Sequence, residues 1–496
     1  MAVKVDTQKE IIFGSSNPNI SRVISKKEKD GELRKLAPRI YTTNLIDSPA
    51  NIVRRNLIEI LAYRYPNALI SHRSAKEMRP TSTGDFFLTN STTRRVTDLP
   101  GIILNFVKGP KATAHDIPFM GMHISGEHRY MLENMQLSRK SGDESRVLPI
   151  SVIENKLEQL LLTGGEERLN QYRDELREVA NELGMADEFS KINNIISALL
   201  STHDARVLST DSAKARASGN PFDASRVGLF EILFDTIKDR YFVIRNNRNT
   251  DEDSFRLFSF FESYFSNYIE GTEFDIEEAK EIVDSGIPMP RRDEDSHDIL
   301  GTFKILSNRT EMRRVPTSPE ELFAILSHRH TILLEGRPHM NPGVFKMRNN
   351  RAGQTEFVDY QLVKGTLSQG FKYYSALTDP FARAIFMMFM ISEVHPFNDG
   401  NGRIARVMMN AEFVRADQSR IIVPTVFRED YILALRKLTR HKDPMAYINV
   451  MTKLHQFSDN LYGTDFTELK NYLAACNAYE EPSQAKLQII DRSIRH

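Results

Sequence analysis

Apolar positions along this chain fall into blocks of helical spacing, interrupted near the N-terminus by shorter alternating runs. Ser21 to Lys29 reads as a short helix or turn. Gly31 to Tyr41 alternates loosely, like a β-ribbon with Lys35 and Arg39 exposed. Asn51 to Tyr65 is amphipathic, with Ile52, Leu57, Ile58, Ile60 and Leu61 on its apolar side. Strand-like runs follow at Asp85–Leu88 and Ile102–Val107, and Ser151 to Ser201 is strongly helical, with Ile153, Leu157, Leu160 and Leu161 sharing a face. The small, polar stretch Ser209–Asn220 reads as an exposed linker. Beyond it, Phe255, Phe258, Phe261, Tyr264, Phe265 and Tyr268 build an aromatic-rich helix. Asp379-Pro380 reads as an N-cap and a first-turn proline ahead of a helix from Phe381 to Val394 that is apolar on most faces. Ile404, Val407, Met408 and Ala411 predict another. Thr464–Tyr479 reads as a last helix, and the tail from Glu480 as mobile.

The 496 residues suit two to four domains. Nothing is long and apolar enough for a transmembrane helix, the N-terminus MAVKVDTQKE has no signal-peptide core, and the single Cys476 excludes an internal disulfide and a cysteine-based zinc site. The expectation is a cytoplasmic protein with no membrane partner. Net charge is zero but unevenly spread: residues 1–120 are basic, and residues 251–300 are acidic in a way that reads mostly as solvated helix surface.

The densest chemistry lies in His395-Pro-Phe-Asn-Asp-Gly-Asn-Gly-Arg-Ile-Ala-Arg406. Gly400, Asn401 and Gly402 adopt positive φ cheaply, so successive N–H groups can face one concavity. A glycine-rich loop feeding a helix start is a site for phosphate, and Arg403 and Arg406, three apart, can reach one polyphosphate. Asp399 offers a hard oxygen ligand for Mg²⁺, and His395 suits a general base near neutral pH. By composition alone the string is equally compatible with a loop that has no chemistry.

The full string resembles the signature of the Fic family, His-Pro-Phe-x-(Asp/Glu)-Gly-Asn-Gly-Arg-x-x-Arg, at every fixed position, and the resemblance extends over roughly residues 255–445. Pro342-Gly-Val-Phe-Lys346 resembles the family's Pro-Gly-x-(Phe/Tyr)-Arg segment, with Lys346 in place of arginine. A lysine there is a point charge and cannot make a bidentate contact. Arg348 to Phe357 fall where the family has a β-hairpin flap that pairs with the target peptide, with Arg348, Asn349, Asn350 and Arg351 as docking candidates and Gly353 supplying the turn. Tyr431 lies where Fic proteins often put an aromatic near adenine; a packed helix tyrosine fits equally. Ser266-Asn-Tyr-Ile-Glu270-Gly271 matches the family's inhibitory pattern, (Ser/Thr)-x-x-x-Glu-(Gly/Asn), and so does Thr331–Gly336 with Glu335. Glu270 is the better choice, because Thr331–Gly336 lies inside the catalytic core.

The resemblance implies a mainly α fold: an all-helical Fic core with a small β-hairpin flap. The implied enzyme is a protein adenylyltransferase moving AMP from MgATP to a Ser, Thr or Tyr hydroxyl of a target protein. His395 would be the base, steered by Phe397, and Asp399 would hold Mg²⁺. Gly400, Asn401, Gly402, Arg403 and Arg406 would hold phosphates, and Glu270 would restrain the site by pairing with Arg406. Two alternatives stay open: a hydrolase in which Glu270 activates water to remove AMP, and a DNA-binding regulator whose Fic half senses nucleotide.

Residues 15–200 resemble, through softer motifs, the winged-helix antitoxin regulators of abortive-infection systems, with Leu33–Tyr41 as the wing. That implies an α/β N-terminal domain, with Lys35 and Arg39 as DNA contacts. An accessory α/β domain that positions protein targets is the competing reading. The expected organisation is 1–95 winged-helix-like, 96–208 α/β then helical, 221–290 inhibitory, 291–455 catalytic, and 456–496 a C-terminal helix and tail. Oligomeric state, a homo-oligomer included, is left open.

Overall fold

The computed structural model describes residues 9–200, 207–352 and 355–492. The chain divides into two compact units, Met1–Ser218 and Gly219–His496.

The first unit begins with β1 (Ile11–Phe13), α1 (Pro18–Lys29), β2 (Arg34–Ala37) and β3 (Ile40–Thr42). The strands form an antiparallel sheet in the order β1-β3-β2. The β2–β3 ribbon turns at Pro38-Arg39, where Arg39 takes φ +62°, and both Lys35 and Arg39 are exposed. The single helix expected over Asn51–Tyr65 is two, α2 (Pro49–Arg55) and α3 (Leu57–Arg64). Asn56 breaks it: its side-chain amide donates to the Ile52 carbonyl and to Glu10, offering the backbone an alternative to helix.

Next come β4 (Leu69–Ile70), α4 (Arg73–Glu77), β5 (Asp85–Asn90), β6 (Arg94–Leu99), β7 (Ile102–Lys108), β8 (Ile117–Phe119) and β9 (Met122–Ile124). They build one six-stranded sheet in the order β6-β7-β5-β4-β9-β8, parallel at β5–β7 and β4–β9. The boundary expected at residue 95 therefore falls inside β6, whose register with β7 begins at Arg94↔Phe106. Helices α5 (Glu127–Glu133), α6 (Ile150–Leu183), α7 (Ala186–Leu199) and α8 (Asp211–Ala217) complete the unit around a second apolar core that includes Leu157, Tyr172, Leu176, Ile196 and Ala213. α6 is kinked at Gly165, φ +69°. The expected linker is thus mostly helix α8. Ala213 is buried, and the buried Glu154 carboxylate accepts the N–H groups of Ser209 and Thr210 at 2.7 and 2.8 Å.

The second unit is helical: α9 (Ala224–Ile237), α10 (Glu252–Ile269), α11 (Ile276–Ser285), α12 (Asp293–Leu306), α13 (Arg309–Met312), α14 (Pro319–Leu333), α15 (Val363–Ala376), α16 (Pro380–Val394), α17 (Asn401–Arg415), α18 (Arg428–His441), α19 (Pro444–Ser458) and α20 (Phe466–Ala475). Its one small sheet among the described residues is the hairpin β10 (Arg351–Ala352) and β11 (Thr355–Glu356), paired Arg351↔Glu356 and Ala352↔Thr355. Gly353, the expected turn residue, lies outside the described residues.

α16 is the central rod. Asp379 caps it by accepting the Ala382 N–H, Pro380 occupies its first turn, and Ala384 through Met390 are fully buried. α9 packs on it through Phe230, edge-on to Phe386 and Phe389, so α9 belongs to the core and not to a separate inhibitory segment. The expected boundary at 455/456 falls inside α19. The described part of the tail, from Glu480 to Arg492, is tied down rather than loose: Tyr268 donates to Glu481, Tyr472 to the Ile490 carbonyl, and Arg492 to the carbonyls of Asn460 and Tyr462. No helix among the described residues is long and apolar enough to cross a membrane.

α12 and α14 cross closely at Gly301, where a Cβ would meet the Leu333 and Ile332 carbonyl oxygens at 2.6 and 2.7 Å. Gly301→Ala is therefore expected to lower stability by about 1–3 kcal/mol, the usual range for overpacking. Urea unfolding with an unchanged midpoint would show that the helices have room there.

Candidate active site

α16 ends at His395, which takes a left-handed backbone (φ +51°) and returns its N–H to Ile391 at 2.9 Å. That reversal throws the chain into the loop 396–400, and α17 starts at Asn401 behind Gly400, φ +71°. Of the three residues expected to use positive φ, only Gly400 does; Asn401 and Gly402 are already helical. Asn401 braces the loop with its side chain, accepting the Phe397 N–H at 2.9 Å and donating to the Phe397 carbonyl at 2.8 Å. The first-turn N–H groups of α17 have no partner within the helix and no side-chain cap, which leaves this helix start favourable to an anion.

Both arginines converge there, and both are engaged. Arg403 is buried, pairing with Asp298 at 2.7 Å and reaching Asn267 at 3.3 Å. Arg337 adds a bidentate contact to Asp298, at 2.7 and 3.1 Å. Burial drives the Asp298 carboxyl up from its usual range against the pull of the two guanidiniums. Arg406 donates to the Ser266 hydroxyl at 3.0 Å, to the Ser266 carbonyl at 2.8 Å and to Glu270 at 2.7 Å. Burial opposes the Arg406 charge, but the Glu270 carboxylate and the Tyr431 hydroxyl together outweigh it and hold the guanidinium protonated. Ser266, Asn267 and Glu270 all lie at the C-terminal end of α10, where Glu270 is the cap and Gly271 (φ +93°) carries the chain away.

A Cβ on Gly402 would sit 2.2 Å from the Glu270 carboxylate. The protein's own carboxylate thus occupies the first turn of α17, where an incoming phosphate would be drawn. Glu335, the competing match, is exposed and pairs with Lys304 at 3.1 Å, on another surface. Tyr431 is buried, its hydroxyl 3.6 Å from the Met388 sulfur and also in contact with the Arg406 guanidinium.

His395 is partly buried. Its Nδ1 faces the Ser392 carbonyl at 3.3 Å. A carbonyl only accepts, so Nδ1 carries the hydrogen and Nε2 keeps the lone pair. Burial lowers its pKa to about 4; the Ser392 contact, Glu270 and Asp399 pull upward, and Lys346 pushes down. The ring is therefore neutral, as a base must be. Phe357 stacks flat on it, centroids 3.6 Å apart. Phe397, expected to pack into the core and steer His395, is fully buried and its ring stacks on His330 at 3.7 Å beneath the loop. His330 accepts the Gly343 N–H at 2.8 Å through Nδ1 and donates through Nε2 to the Asp399 carbonyl at 3.0 Å, pinning the loop to the segment before the flap. Burial lowers the His330 pKa to about 4 as well.

The Asp399 carboxylate is partly exposed and lies 3.6 Å from the Arg403 guanidinium, too far for a hydrogen bond, so its oxygens keep lone pairs for a hard cation. Among the described residues no cluster of three or more His, Cys, Asp or Glu could hold a metal alone. One carboxylate fits Mg²⁺, which takes the rest of its shell from phosphate oxygens and water. Lys346 is buried, its pKa lowered to about 8 by that burial, and its Nζ donates to Asn350 at 2.6 Å. Of the four flap candidates, Asn350 donates to the Phe397 carbonyl and Asn349 to Asp359, while Arg348 and Arg351 are exposed.

Two residues that touch this site carry no mark in any motif: Asp298 and His330. Asn267 lies at an unspecified position of the Ser266–Gly271 match and Phe357 at the end of the flap segment, and neither pattern gives them a role. Asp298 sits in the acidic block expected to be solvated, as does the fully buried Glu262, which meets Arg420 at 2.9 Å and Asn410 at 2.7 Å. The usable signal for Asp298 was its place between Ser296 and Ile299 on the buried face of α12.

Residues 318–412 match the model described as the Fic/DOC family, and this stretch of the chain is a Fic domain. Protein adenylyltransferase fic-1 of Caenorhabditis elegans is 30% identical over 115 residues, 23% of this chain and 22% of the relative. Protein adenylyltransferase Fic of Nematostella vectensis is 24% identical over 214 residues, 40% of this chain and 47% of the relative. The chain thus spans between about a fifth and a half of these relatives. A solved structure of Fic-1 (aa134–508) from C. elegans covers 66% of this chain and 92% of its own at 17% identity, with a TM-score of 0.36.

The two buried rings give a direct expectation. From pH 5.5 to 8, imidazole nitrogen resonances should report neutral rings, with the Nδ1–H tautomer at His395 and Nε2–H at His330. Titration of either ring inside that window, or the opposite tautomer, would contradict the hydrogen bonding described.

Proposed function

We propose that this protein is a Fic-type adenylyltransferase, transferring AMP from MgATP to a hydroxyl of a target protein, and that Glu270 restrains it. One observation carries the reading: a neutral imidazole with a free Nε2 lone pair stands at one end of a short loop whose other end is an uncapped helix start carrying Arg403 and Arg406. The names of the relatives support it.

In this reading the β- and γ-phosphates of ATP lie at the first turn of α17 beside Arg403 and Arg406. The target hydroxyl attacks the α-phosphorus. Its proton passes to Nε2 of His395, the bond from the α-phosphorus to the bridging oxygen breaks, and pyrophosphate leaves with the electron pair. Mg²⁺, held by Asp399, would neutralise phosphate charge. The protein contributes position and electrostatics. Asp298 keeps Arg403 aimed. Arg406 becomes available to the γ-phosphate only when Glu270 releases it. A second reading shares the site: the Glu270 carboxylate, next to Gly402, could activate water to remove AMP from a modified protein.

Glu270→Gly should raise self-modification and target transfer, read by intact mass after incubation with MgATP, while Glu335→Gly should not. In the Glu270→Gly background, His395→Ala should lower transfer by about 10²-fold or more, the scale of a lost general base, with ATP affinity by calorimetry nearly unchanged. Equal transfer by wild type and Glu270→Gly would remove the inhibitory role. If the hydrolase reading holds, Glu270→Gly also loses removal of AMP from a premodified target.

For the first unit we propose duplex DNA as a partner, supported by the exposed Lys35 and Arg39 on the β2–β3 ribbon. Affinity of the full chain should fall with salt at a log–log slope of about −0.9 per phosphate neutralised. Replacing Lys35 and Arg39 by alanine should flatten that slope by about one per residue. No retention on duplex at low salt would leave the accessory-domain reading.

A further inference from the structure

His395 has few restraints of its own. Its backbone is fixed at the end of α16, but among the described residues its ring makes a single polar contact, the 3.3 Å approach of Nδ1 to the Ser392 carbonyl. One long contact at one edge leaves the ring free to swing about it. An in-plane lone pair serves as a base only when the plane is aimed.

The missing restraint comes from the flap. Phe357 directly follows β11, and its ring lies parallel to the imidazole, 7° between planes and 3.6 Å between centroids. The hairpin is in turn bolted to the segment flanking His395. Asn350 donates to the Phe397 carbonyl at 2.9 Å, the Lys346 N–H donates to the Pro396 carbonyl at 2.8 Å, and Lys346 Nζ holds Asn350 at 2.6 Å. Asn349 ties the far side by accepting the Tyr360 N–H at 2.9 Å and donating to Asp359 at 2.8 Å. The stack covers one face of the imidazole and leaves both nitrogens at the rim, so it fixes the plane without blocking Nε2.

We propose that Phe357 is a positioning residue for His395, so that seating a target on the flap and aiming the base are one mechanical event. This inference rests on reading the site as a transferase. Phe357 also screens the imidazole from water. The charged groups that act on the ring are Lys346, Glu270 and Asp399, and none of them belongs to the flap strands.

The test uses the full chain in the Glu270→Gly background, with radiolabelled ATP as donor and self-modification as readout. Phe357→Ala should lower kcat about 10- to 100-fold, the scale of a mis-aimed catalytic group, while KM for ATP changes little. Phe357→Tyr keeps a ring in the stack and should restore most of the rate. His395 followed by its imidazole resonances should stay neutral between pH 5.5 and 8 in the parent and titrate within that window in Phe357→Ala, because water then reaches the ring. A Phe357→Ala rate within twofold of the parent would overturn the proposal. So would Phe357→Tyr being as slow as Phe357→Ala, or His395 resonances identical in the parent and Phe357→Ala. If the Glu270→Gly parent transfers no AMP at all, the transferase reading fails, and the His395 resonances alone still decide whether Phe357 holds the ring.

Discussion

Two guanidinium groups buried at the start of one helix must be neutralised, and meeting that demand organises the second unit. Arg403 and Arg406 flank the uncapped first turn of α17, which already favours negative charge. A buried cation without a partner is strongly destabilising, so acidic groups must reach it from elsewhere in the chain. Two do, and they differ in kind. Asp298 is enclosed, with 2% of its side chain exposed, and shares a second arginine; Glu270 meets Arg406 with 35% of its side chain exposed. The first is a permanent counterion. The second stands at a helix end, partly open to solvent, and under the proposed reading it gives way to a phosphate.

The same end of α10 handles both arginines. Ser266 and Glu270 hold Arg406 while Asn267 reaches Arg403. Two turns deeper, Glu262 on α10 is buried against Arg420 and Asn410. The helix is thus anchored at its middle by groups with no access to solvent and engaged at its tip by groups that have some. Any displacement that frees Arg406 is easiest at the last turn, past which Gly271 already carries the chain in a left-handed conformation.

What was legible in the sequence was local. The twelve residues from His395 to Arg406 declared a phosphate-friendly loop, Asp379-Pro380 declared a helix start, and the ribbon at Leu33–Tyr41 was readable from its alternation. One distant partner was legible: the Ser266–Gly271 match pointed to Glu270 on Arg406, and the two meet at 2.7 Å. The others were not, because they come from far along the chain with no pattern to mark them: His330 reaches a carbonyl 69 positions away, and Asn267 an arginine 136 away. Charge misled for a related reason. Composition marks 251–300 as acidic, but only the packing of α10 and α12 decides that Glu262 and Asp298 face inward while their neighbours face water. The linker error has the same origin: Ser209–Asn220 is small and polar, yet one buried carboxylate, Glu154, is enough to hold its start in place.

The carboxylate over Gly402 belongs to the same polypeptide as the arginine it meets, and this sets the arithmetic of competition under the proposed reading. A tethered anion does not become dilute. Its effective concentration at Arg406 is set by chain geometry alone, whereas nucleotide is present at whatever level its surroundings hold. Occupancy then depends on the ratio of those two quantities and not on how much protein is made. Adding enzyme multiplies the restrained fraction and the active fraction alike. What changes the ratio is the nucleotide level or a force on the tip of α10, so a contact on that helix, rather than the abundance of the protein, is a natural point of control.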